Sequence, residues 1–453
     1  MKLSPSWIIS WVIAIVLALT SLNDSRWETR STLRSDMFEY YAYLPAAVIF
    51  NDLEFDFIWS TPADDKREIP LYNTPNGGRI LKMTSGVALL ELPFFLMAHS
   101  IAPILGVEAN GYTWVYHLFM AVSAVFYASV TAFLQRKILL QFFTEGAVSL
   151  TLLAVFLGTN LFYYTAYEGS MSHVYSFFAI TVFLLNSIKW VESFKWKNAI
   201  FTGLSFGLIV LIRPVNILVA IIPLLWGVRF FAEFMLRIRD VFSHHFQFFV
   251  IVFLAVLVWV PQLWYWHHNT GDWIYYSYTN QGFFFNDPRI LEGLFGYRKG
   301  WLLYTPVAIF SVLGFLSLWL YKPAKKFKLA IPVYFLIYIY IIYSWWCWWY
   351  GGSFSSRPMI DAMAVLSVPM ATFFTVALSR KYVNIIVTVT VFLLIGLNQF
   401  QTYQYTKGIL HYDGMTKGTY TLIWGKTKYP PGFDQSLDHP DYDAALMGDR
   451  SEK

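Results

Sequence analysis

Charged residues are scarce in this chain and make up 13% of its 453 residues. An ordinary soluble domain carries about 25%. Hydrophobic residues account for 57% and aromatic residues for 20%, so the chain has too little polar surface to cover a globule in water. The composition therefore excludes an ordinary soluble protein and predicts a polytopic membrane protein.

Cysteine is nearly absent, since the chain has Cys347 alone. A single cysteine excludes a disulfide framework and a thiolate metal site. The net charge of +5 is modest, and the basic residues stand between apolar runs, which bears on topology and does not indicate nucleic-acid binding. No small-residue cleavage pattern follows the first apolar stretch, 7–22, so the sequence predicts a retained helix there.

Twelve apolar runs are long enough to approach or cross a hydrocarbon core. They fall near 7–22, 84–105, 112–134, 146–165, 172–190, 198–212, 214–228, 247–266, 301–321, 328–347, 358–378 and 382–401. The run 84–105 contains Glu91, two prolines and His99, which makes it a poor lipid-facing span. The stretch 199–228 is interrupted at Arg213-Pro214, where proline disfavours helix in the residue before it.

The distribution of basic residues tests both interpretations. If 84–105 lies in the membrane interface and 199–228 forms two short helices, the connections on one side collect fifteen basic residues, while the short turns near Glu168, Arg213 and Arg357 on the other side hold two. Changing either assignment alone would move "KPAKKFK" (322–328) to the other side. The positive-inside rule therefore predicts eleven spans, with a cytoplasmic amino terminus and an external tail.

This topology predicts a transmembrane domain over 1–402 and a short external tail over 403–453, with external loops at 23–111 and 267–300. The first loop is expected to contain two interfacial helices, near 36–50 and 84–105, joined by the polar "TPADDKREIPLYNTPNGG" turn region. The tail is expected to form a small ordered cap followed by a frayed end.

Two carboxylates open the first interfacial helix. Asp36 and Glu39 are three residues apart and share a helix face just after the first span. They are candidate catalytic residues. The alternative is a capping box, with Asp36 as N-cap and Glu39 at the third helical position.

Cations recur at the predicted external surface. Lys82 and Arg213 are candidate ligands of a lipid phosphate, and Arg298 and Arg357 are further candidates, Arg357 because it follows the "GGSFSS" stretch where backbone approaches a ligand closely. The alternatives are an interfacial anchor for Lys82 and a salt bridge to an acidic residue of another helix for Arg213.

Glu168 and His173 occupy the turn between the runs 146–165 and 172–190. Five residues apart and without further ligands, they do not make a metal site. They are equally consistent with contacts to an acceptor or sugar hydroxyl and with a role at the helix ends. No metal or cofactor is indicated.

The motifs "SDMFEYYAYLPA", "KMTSGVALLELPFFLMAH", "YEGSMSHVYSFF", "GLFGYRKGWLLYTP" and "WWYGGSFSSRP" resemble a bacterial branch of the GT-C superfamily of integral-membrane glycosyltransferases. Lipid A aminoarabinose transferases and protein O-mannosyltransferases are similar in plan. The resemblance covers about 400 residues and implies an all-α membrane fold with the active site on the extracytoplasmic face of the bacterial inner membrane.

The resemblance further implies a polyprenyl-phosphate-linked sugar donor and a lipid, glycan or protein acceptor. Asp36 would be the catalytic base of an inverting transfer, and Lys82 and Arg213 would hold the donor phosphate. Two alternatives remain at this point: a lipid-linked oligosaccharide polymerase or ligase, and a transporter, which would place ionisable residues near the middle of the bilayer. The sequence does not determine the sugar, the acceptor or the oligomeric state.

Overall fold

Helices form almost the whole of the computed structural model, which describes residues 4–60 and 70–451. Part of the predicted polar turn region, 61–69, lies outside the described residues, as does Lys2. The α-helices are α1 Pro5–Asp24, α2 Asp36–Pro45, α3 Phe57–Ser60, α4 Gly86–Ile101, α5 Trp114–Leu139, α6 Glu145–Gly158, α7 Leu161–Ala166, α8 Ser172–Ser193, α9 Trp196–Ile212, α10 Ile221–Leu224, α11 Phe231–Ser243, α12 His245–Thr270, α13 Ile290–Phe295, α14 Trp301–Tyr304, α15 Ile309–Leu320, α16 Ala330–Ser344, α17 Met359–Leu378, α18 Lys381–Thr406, α19 Lys417–Ile423, α20 Phe433–Ser436 and α21 Tyr442–Leu446.

Short irregular elements connect these helices. A π-helical turn, Ala46–Phe50, continues α2, and 3₁₀ helices cover Pro103–Leu105, Pro214–Ala220, Pro306–Ala308 and Lys322–Phe327. A small antiparallel hairpin pairs β1, Tyr72–Asn73, with β2, Arg79–Ile80. The all-α prediction is confirmed.

Seven helical segments in the described residues are long and apolar enough to cross a membrane, and five shorter apolar ones accompany them. Together they correspond to the twelve apolar runs of the sequence. The long segments are Pro5–Asp24, Gly86–Leu105, Trp114–Leu139, Ser172–Ser193, His245–Thr270, Met359–Leu378 and Lys381–Thr406, and the shorter ones are Glu145–Gly158, Trp196–Ile212, Pro214–Leu224, Pro306–Leu320 and Ala330–Ser344.

Side-chain contacts show that the predicted cytoplasmic connections meet at one end of the bundle, called the basic end. Direct contacts link Ser6 with Arg136, Trp190 with Gln247, Glu192 with Trp226 and Lys326, and Phe142 with Phe327. A Cβ atom added at Gly146 would lie 3.7 Å from Leu378 Cδ1. At the opposite end, called the site end, the predicted external turns contact one another. The contacting pairs are Trp27 with Trp114, Arg34 with Glu168, Arg213 with Asp361, and Tyr163 with Tyr405.

Helix α4 begins and finishes at the site end, although its length and composition would allow a crossing. Just before it, the Thr84 hydroxyl donates to the Leu211 carbonyl oxygen over 2.5 Å, at the site end of α9. Near its other end, His99 Nδ1 lies 2.7 Å from the hydroxyl oxygen of Tyr116, two residues into α5. These contacts place both ends of α4 on the same side of the bundle.

The tail covers the site end, and the described part of it is packed as far as Arg450, while residues 452–453 lie outside the described residues. Arg450 is 1% exposed, and its guanidinium donates to the carbonyl oxygens of Ser344 and Trp345 over 3.3 and 3.0 Å. A buried cation that satisfies backbone carbonyls holds the last described residues in place.

Candidate functional site

The start of α2 and the loop before α17 meet at the site end. The Oδ2 atom of Asp36 lies 2.9 Å from Nη2 of Arg357. Helix α2 begins at Asp36 after Ser35, whose φ is 47° and whose side chain makes no capping hydrogen bond. The capping-box alternative is therefore wrong, since Asp36 is inside the helix and its carboxylate faces Arg357.

A cavity of about 510 Å³ lies on one side of this ion pair and is called the cation cavity. Its lining includes Asp36, Lys82, Arg213 and Arg357. Tyrosine and tryptophan side chains, among them those of Tyr40, Trp266, Tyr278, Trp345 and Tyr350, form much of the remaining wall. The structure thus brings the predicted base and three of the four predicted phosphate ligands into one cavity.

A second cavity of about 1230 Å³ lies on the other side and is called the cap cavity. It shares Asp36, Met171, Gly351 and Arg357 with the cation cavity, so the ion pair stands where the two cavities meet. Its outer wall comes from the tail and includes Tyr412, Tyr429, Phe433, Asp434 and His439. A group bound in either cavity would have access to the Asp36 carboxylate.

Glu39 is buried beneath the cation cavity and lines neither cavity. Its Oε2 atom accepts hydrogen bonds from the backbone amides of Lys82 and Met83 over 2.9 and 3.2 Å, and Oε1 lies 4.0 Å from Lys82 Nζ. Burial raises the pKa of Glu39 to about 7, although Lys82 opposes this shift. The structure therefore places Glu39 as a support that positions Lys82.

Arg213 lines the cation cavity and also makes the salt bridge that the sequence left as an alternative. Its Nε atom lies 3.2 Å from Oδ2 of Asp361, in the first turn of α17. His173 Nδ1 lies 2.9 Å from the other Asp361 oxygen, and Arg213 Nη1 donates to His173 Nε2 over 3.2 Å. Asn216 Nδ2 also donates to Asp361 over 2.9 Å. His173 is thus buried behind Arg213, away from both cavities.

Asp361 was not assigned a role from the sequence. The sequence signal that could have identified Asp361 is its position near the start of an otherwise apolar helix. An acidic residue inside a membrane bundle requires a partner. The partner could not be chosen from the sequence, because Arg213 and Asp361 are far apart in the chain.

Glu168 lines the cap cavity, as its predicted contact with an acceptor or sugar requires. Its Oε1 atom lies 2.6 Å from Arg34 Nη2 and accepts a hydrogen bond from the Tyr163 hydroxyl over 2.9 Å. The carboxylate therefore forms part of a fixed polar wall near Asp36.

Arg298 lies outside both cavities. It donates to the carbonyl oxygen of Asp413 over 2.8 Å and pairs with the Asp438 carboxylate over 2.9 Å. The adjacent Lys299 is buried and donates to the carbonyl oxygens of Ser353 and Tyr412; burial lowers the pKa of Lys299 to about 7. Arg298 and Lys299 thus hold the tail against the loop that carries Arg357. The structure places Arg298 away from the position predicted for a phosphate ligand.

The charge state of Asp36 follows from its neighbours. Burial acts to raise the pKa of Asp36, but Arg357 and then Lys82 outweigh it and hold that pKa below its usual range. A quarter of the Asp36 side chain remains exposed. The carboxylate is therefore ionised near neutral pH and accessible from the cavities.

Three side chains near the cap cavity have the chemistry of metal ligands. One ligand atom from each of His411, Asp413 and His439 lies within 4.8 Å of the others. However, His411 Nδ1, 3.4 Å from the Asp413 carboxylate, already accepts a hydrogen bond from the Gly414 amide over 2.9 Å. The Nδ1 lone pair of His411 is therefore engaged by the backbone of the tail.

Comparison with known proteins gives structural likeness without sequence likeness. No family model and no curated protein matches this chain. An archaeal oligosaccharyltransferase, AglB from Archaeoglobus fulgidus in complex with an inhibitory peptide and a dolichol-phosphate, is 14% identical, with a TM-score of 0.49 over 95% of this chain and 60% of that one. The apo form of the oligosaccharyltransferase from that organism is 13% identical, with a TM-score of 0.47 over 97% and 59% of the two chains.

A third solved structure, the Archaeoglobus fulgidus oligosaccharyltransferase with Zn and sulfate, is 15% identical, with a TM-score of 0.48 over 94% of this chain and 57% of that one. This chain therefore spans about three fifths of the length of the solved structures that it resembles.

Proposed function

We propose that this protein transfers a sugar from a polyprenyl-phosphate-linked donor to an acceptor, with inversion at the anomeric carbon and with Asp36 as general base. The observation that carries the proposal is the position of the Asp36 carboxylate where two cavities meet, one of which is lined by Lys82, Arg213 and Arg357. Three cations near one carboxylate suit a phosphate leaving group beside a base.

The cation cavity is proposed to hold the donor head group. Its volume of about 510 Å³ lies within the usual range for small-molecule sites, about 300 to 1,000 Å³, and favours a monosaccharide phosphate over an oligosaccharide. The aromatic wall offers ring faces to a sugar or an isoprenoid unit. The cap cavity, more than twice as large, is proposed to admit the acceptor from the site end.

The reaction balances with one carboxylate. As the acceptor oxygen or nitrogen forms a bond to the anomeric carbon, the bond from that carbon to the phosphate oxygen breaks, and its electron pair leaves with polyprenyl phosphate. Asp36 takes the acceptor proton, while the cations of the cation cavity stabilise the charge that develops on the phosphate. The depressed Asp36 pKa keeps the base ionised before the step.

The site end is proposed to face the outside of the bacterial inner membrane. The predicted basic connections gather at the opposite end of the bundle, which the positive-inside rule assigns to the cytoplasm. The donor lipid would therefore be used in the outer leaflet, and the acceptor would be a lipid, glycan or protein of the cell envelope.

The test measures release of free polyprenyl phosphate by the purified, reconstituted protein. Labelled monosaccharide-linked and oligosaccharide-linked donors are supplied with a cell-envelope acceptor fraction. We expect release from a monosaccharide donor and a loss of about 10²-fold or more in Asp36→Asn, since general-base catalysis contributes that much.

The matched control is Asp56→Asn, which removes an exposed carboxylate of the same first loop that lines neither cavity. It should transfer at the wild-type rate. Normal transfer by a folded Asp36→Asn protein would remove Asp36 from the mechanism, and activity restricted to oligosaccharide donors would change the assigned donor class.

A further inference from the structure

Each cation of the cation cavity is paired with one carboxylate. Arg357 pairs with Asp36 over 2.9 Å, Arg213 with Asp361 over 3.2 Å, and Lys82 with Glu39 over 4.0 Å. Each cation thus has a carboxylate partner before any ligand arrives. An incoming phosphate must therefore compete with these carboxylates for the cations.

The carboxylates differ in what they would lose if their cation moved away. Asp361 is 0% exposed and Glu39 is 2% exposed, and both also hold neighbouring groups through the hydrogen bonds described above. Separating either from its cation would leave a buried charge uncompensated, which is strongly unfavourable. Asp36 differs because a quarter of its side chain is exposed and it faces both cavities.

We propose that the Asp36–Arg357 ion pair is a latch that the donor phosphate opens: the phosphate takes the Arg357 guanidinium and thereby frees the Asp36 carboxylate to act as base. This inference rests on the proposed function and adds to it a coupling between donor binding and base release. Lys82 and Arg213 stay with their buried partners and attract the phosphate from fixed positions.

Arg357 is suited to change partner. Its Nε atom is buried and has no hydrogen-bond partner among residues 4–60 and 70–451, and its Nη1 atom faces the Met171 sulfur at 3.8 Å. The guanidinium thus has donor capacity that the resting pair does not use, and a phosphate can accept two parallel hydrogen bonds from it.

The backbone around Arg357 also suits a movable element. Tyr350 and Ser355 have φ values of 59° and 57°, a left-handed conformation that costs free energy in residues other than glycine. Gly351 lies between them with φ of 64°, where a side chain would add strain. Strained backbone of this kind clusters at ligand-binding and switch regions.

The latch has a chemical consequence for the acceptor side. While Arg357 is paired with Asp36, it lowers the basicity of the carboxylate and occupies one of its oxygens. Once Arg357 has moved to the phosphate, the carboxylate is a stronger base and is open to the cap cavity. The Asp36 carboxylate therefore becomes a stronger base only when the phosphate leaving group is bound. This limits unproductive deprotonation of water.

The experiment is a double-mutant cycle on the binding of a short-chain polyprenyl monophosphate to the full-length protein in lipid nanodiscs. Asp36→Asn removes the competitor for Arg357 and should bind the probe about fivefold more tightly than wild type, the scale of a partly exposed ion pair. In an Arg357→Gln background the same Asp36→Asn change should leave the dissociation constant unchanged.

A gain that persists in the Arg357→Gln background would overturn the latch, because simple removal of a negative charge would then explain it. Equal or weaker binding by Asp36→Asn with Arg357 present would also overturn it. Glu39→Gln is the comparison for charge: it removes the partner of Lys82 and should tighten binding less than Asp36→Asn does.

A structure of the wild-type protein with polyprenyl monophosphate provides a test that does not depend on the folding of any variant. A separation above 4 Å between the Asp36 carboxylate and the Arg357 guanidinium, with Arg357 on the phosphate, supports the latch, and retention of the pair overturns it. If the wild-type protein binds the phosphate no better than the matching polyprenol, the proposed function fails and the latch with it. If binding depends on the phosphate and is weakened in Lys82→Met but shows no coupling, the latch alone fails.

Discussion

Asp36 and Glu39 are two acidic residues three positions apart that have different surroundings and different roles. Both start on one face of α2, yet Asp36 faces two cavities while Glu39 turns toward the backbone before α4. Their pKa values differ because Arg357 and Lys82 hold the pKa of Asp36 below its usual range, whereas burial raises that of Glu39 to about 7. A carboxylate that faces the cavities and a structural support therefore arise from the same short motif.

The raised pKa of Glu39 predicts a pH-dependent stability. Between its unfolded value of 4.5 and its folded value of about 7, the folded protein binds more protons than the unfolded chain, so stability falls as pH rises through this window. In thermal unfolding of the detergent-solubilised protein, Glu39→Gln should flatten the decrease between pH 5 and pH 7. The exposed Glu28→Gln variant should keep it; an unchanged slope in Glu39→Gln would show that another group titrates.

At the scale of elements, the position of the start of α4 depends on close packing. A Cβ atom added at Gly86 would lie 2.5 Å from the backbone nitrogen of Ile212 and 2.7 Å from the carbonyl carbon of Leu211. Glycine is required here because the start of α4 touches the backbone at the end of α9. This contact places Lys82 near Arg213, so the packing of two helix ends sets the spacing of two cations.

We expect Gly86→Ala to destabilise the protein by about 1–3 kcal/mol, since backbone must move to admit the methyl group. Chemical denaturation in detergent measures the change. The matched control is Gly396→Ala in α18, where an added Cβ meets no atom within 4 Å; it should be neutral or slightly stabilising because alanine favours helix. Equal effects in the two variants would contradict the packing argument.

At the scale of the whole molecule, the tail and the membrane bundle form one body around the cap cavity. Arg298 and Lys299 bind the tail to the loop that carries Arg357, and Arg450 fixes the tail beside α16. The tail residues thus close the cap cavity. The inner wall of this cavity comes from the first loop and from the turn that precedes α17. A division at residue 402 separates two parts of the same candidate site.

The proposed sidedness can be measured by cysteine labelling, because the native Cys347 is buried. Lys325→Cys lies at the basic end and Lys428→Cys in the tail at the site end, and both positions are exposed. In right-side-out membrane vesicles, a membrane-impermeant maleimide should label Lys428→Cys and leave Lys325→Cys unlabelled until the vesicles are opened. Labelling with the reverse preference would place the site end in the cytoplasm.

The sequence by itself determined the helical membrane fold and the alternation of connections between two ends, because apolar run length and loop charge are local properties of the chain. It also singled out Asp36, Lys82, Arg213 and Arg357, since charged residues at the edge of apolar runs need a partner or a ligand. It assigned Glu39 to catalysis and His173 and Arg298 to ligand contacts, whereas the structure places these three behind the cavity walls or under the tail. Only the tertiary structure decided which carboxylate pairs with which cation, since each pair joins segments far apart in the chain. Asp36 pairs with Arg357, and Arg213 with Asp361, because of the way the helix ends pack. No local sequence pattern records that packing.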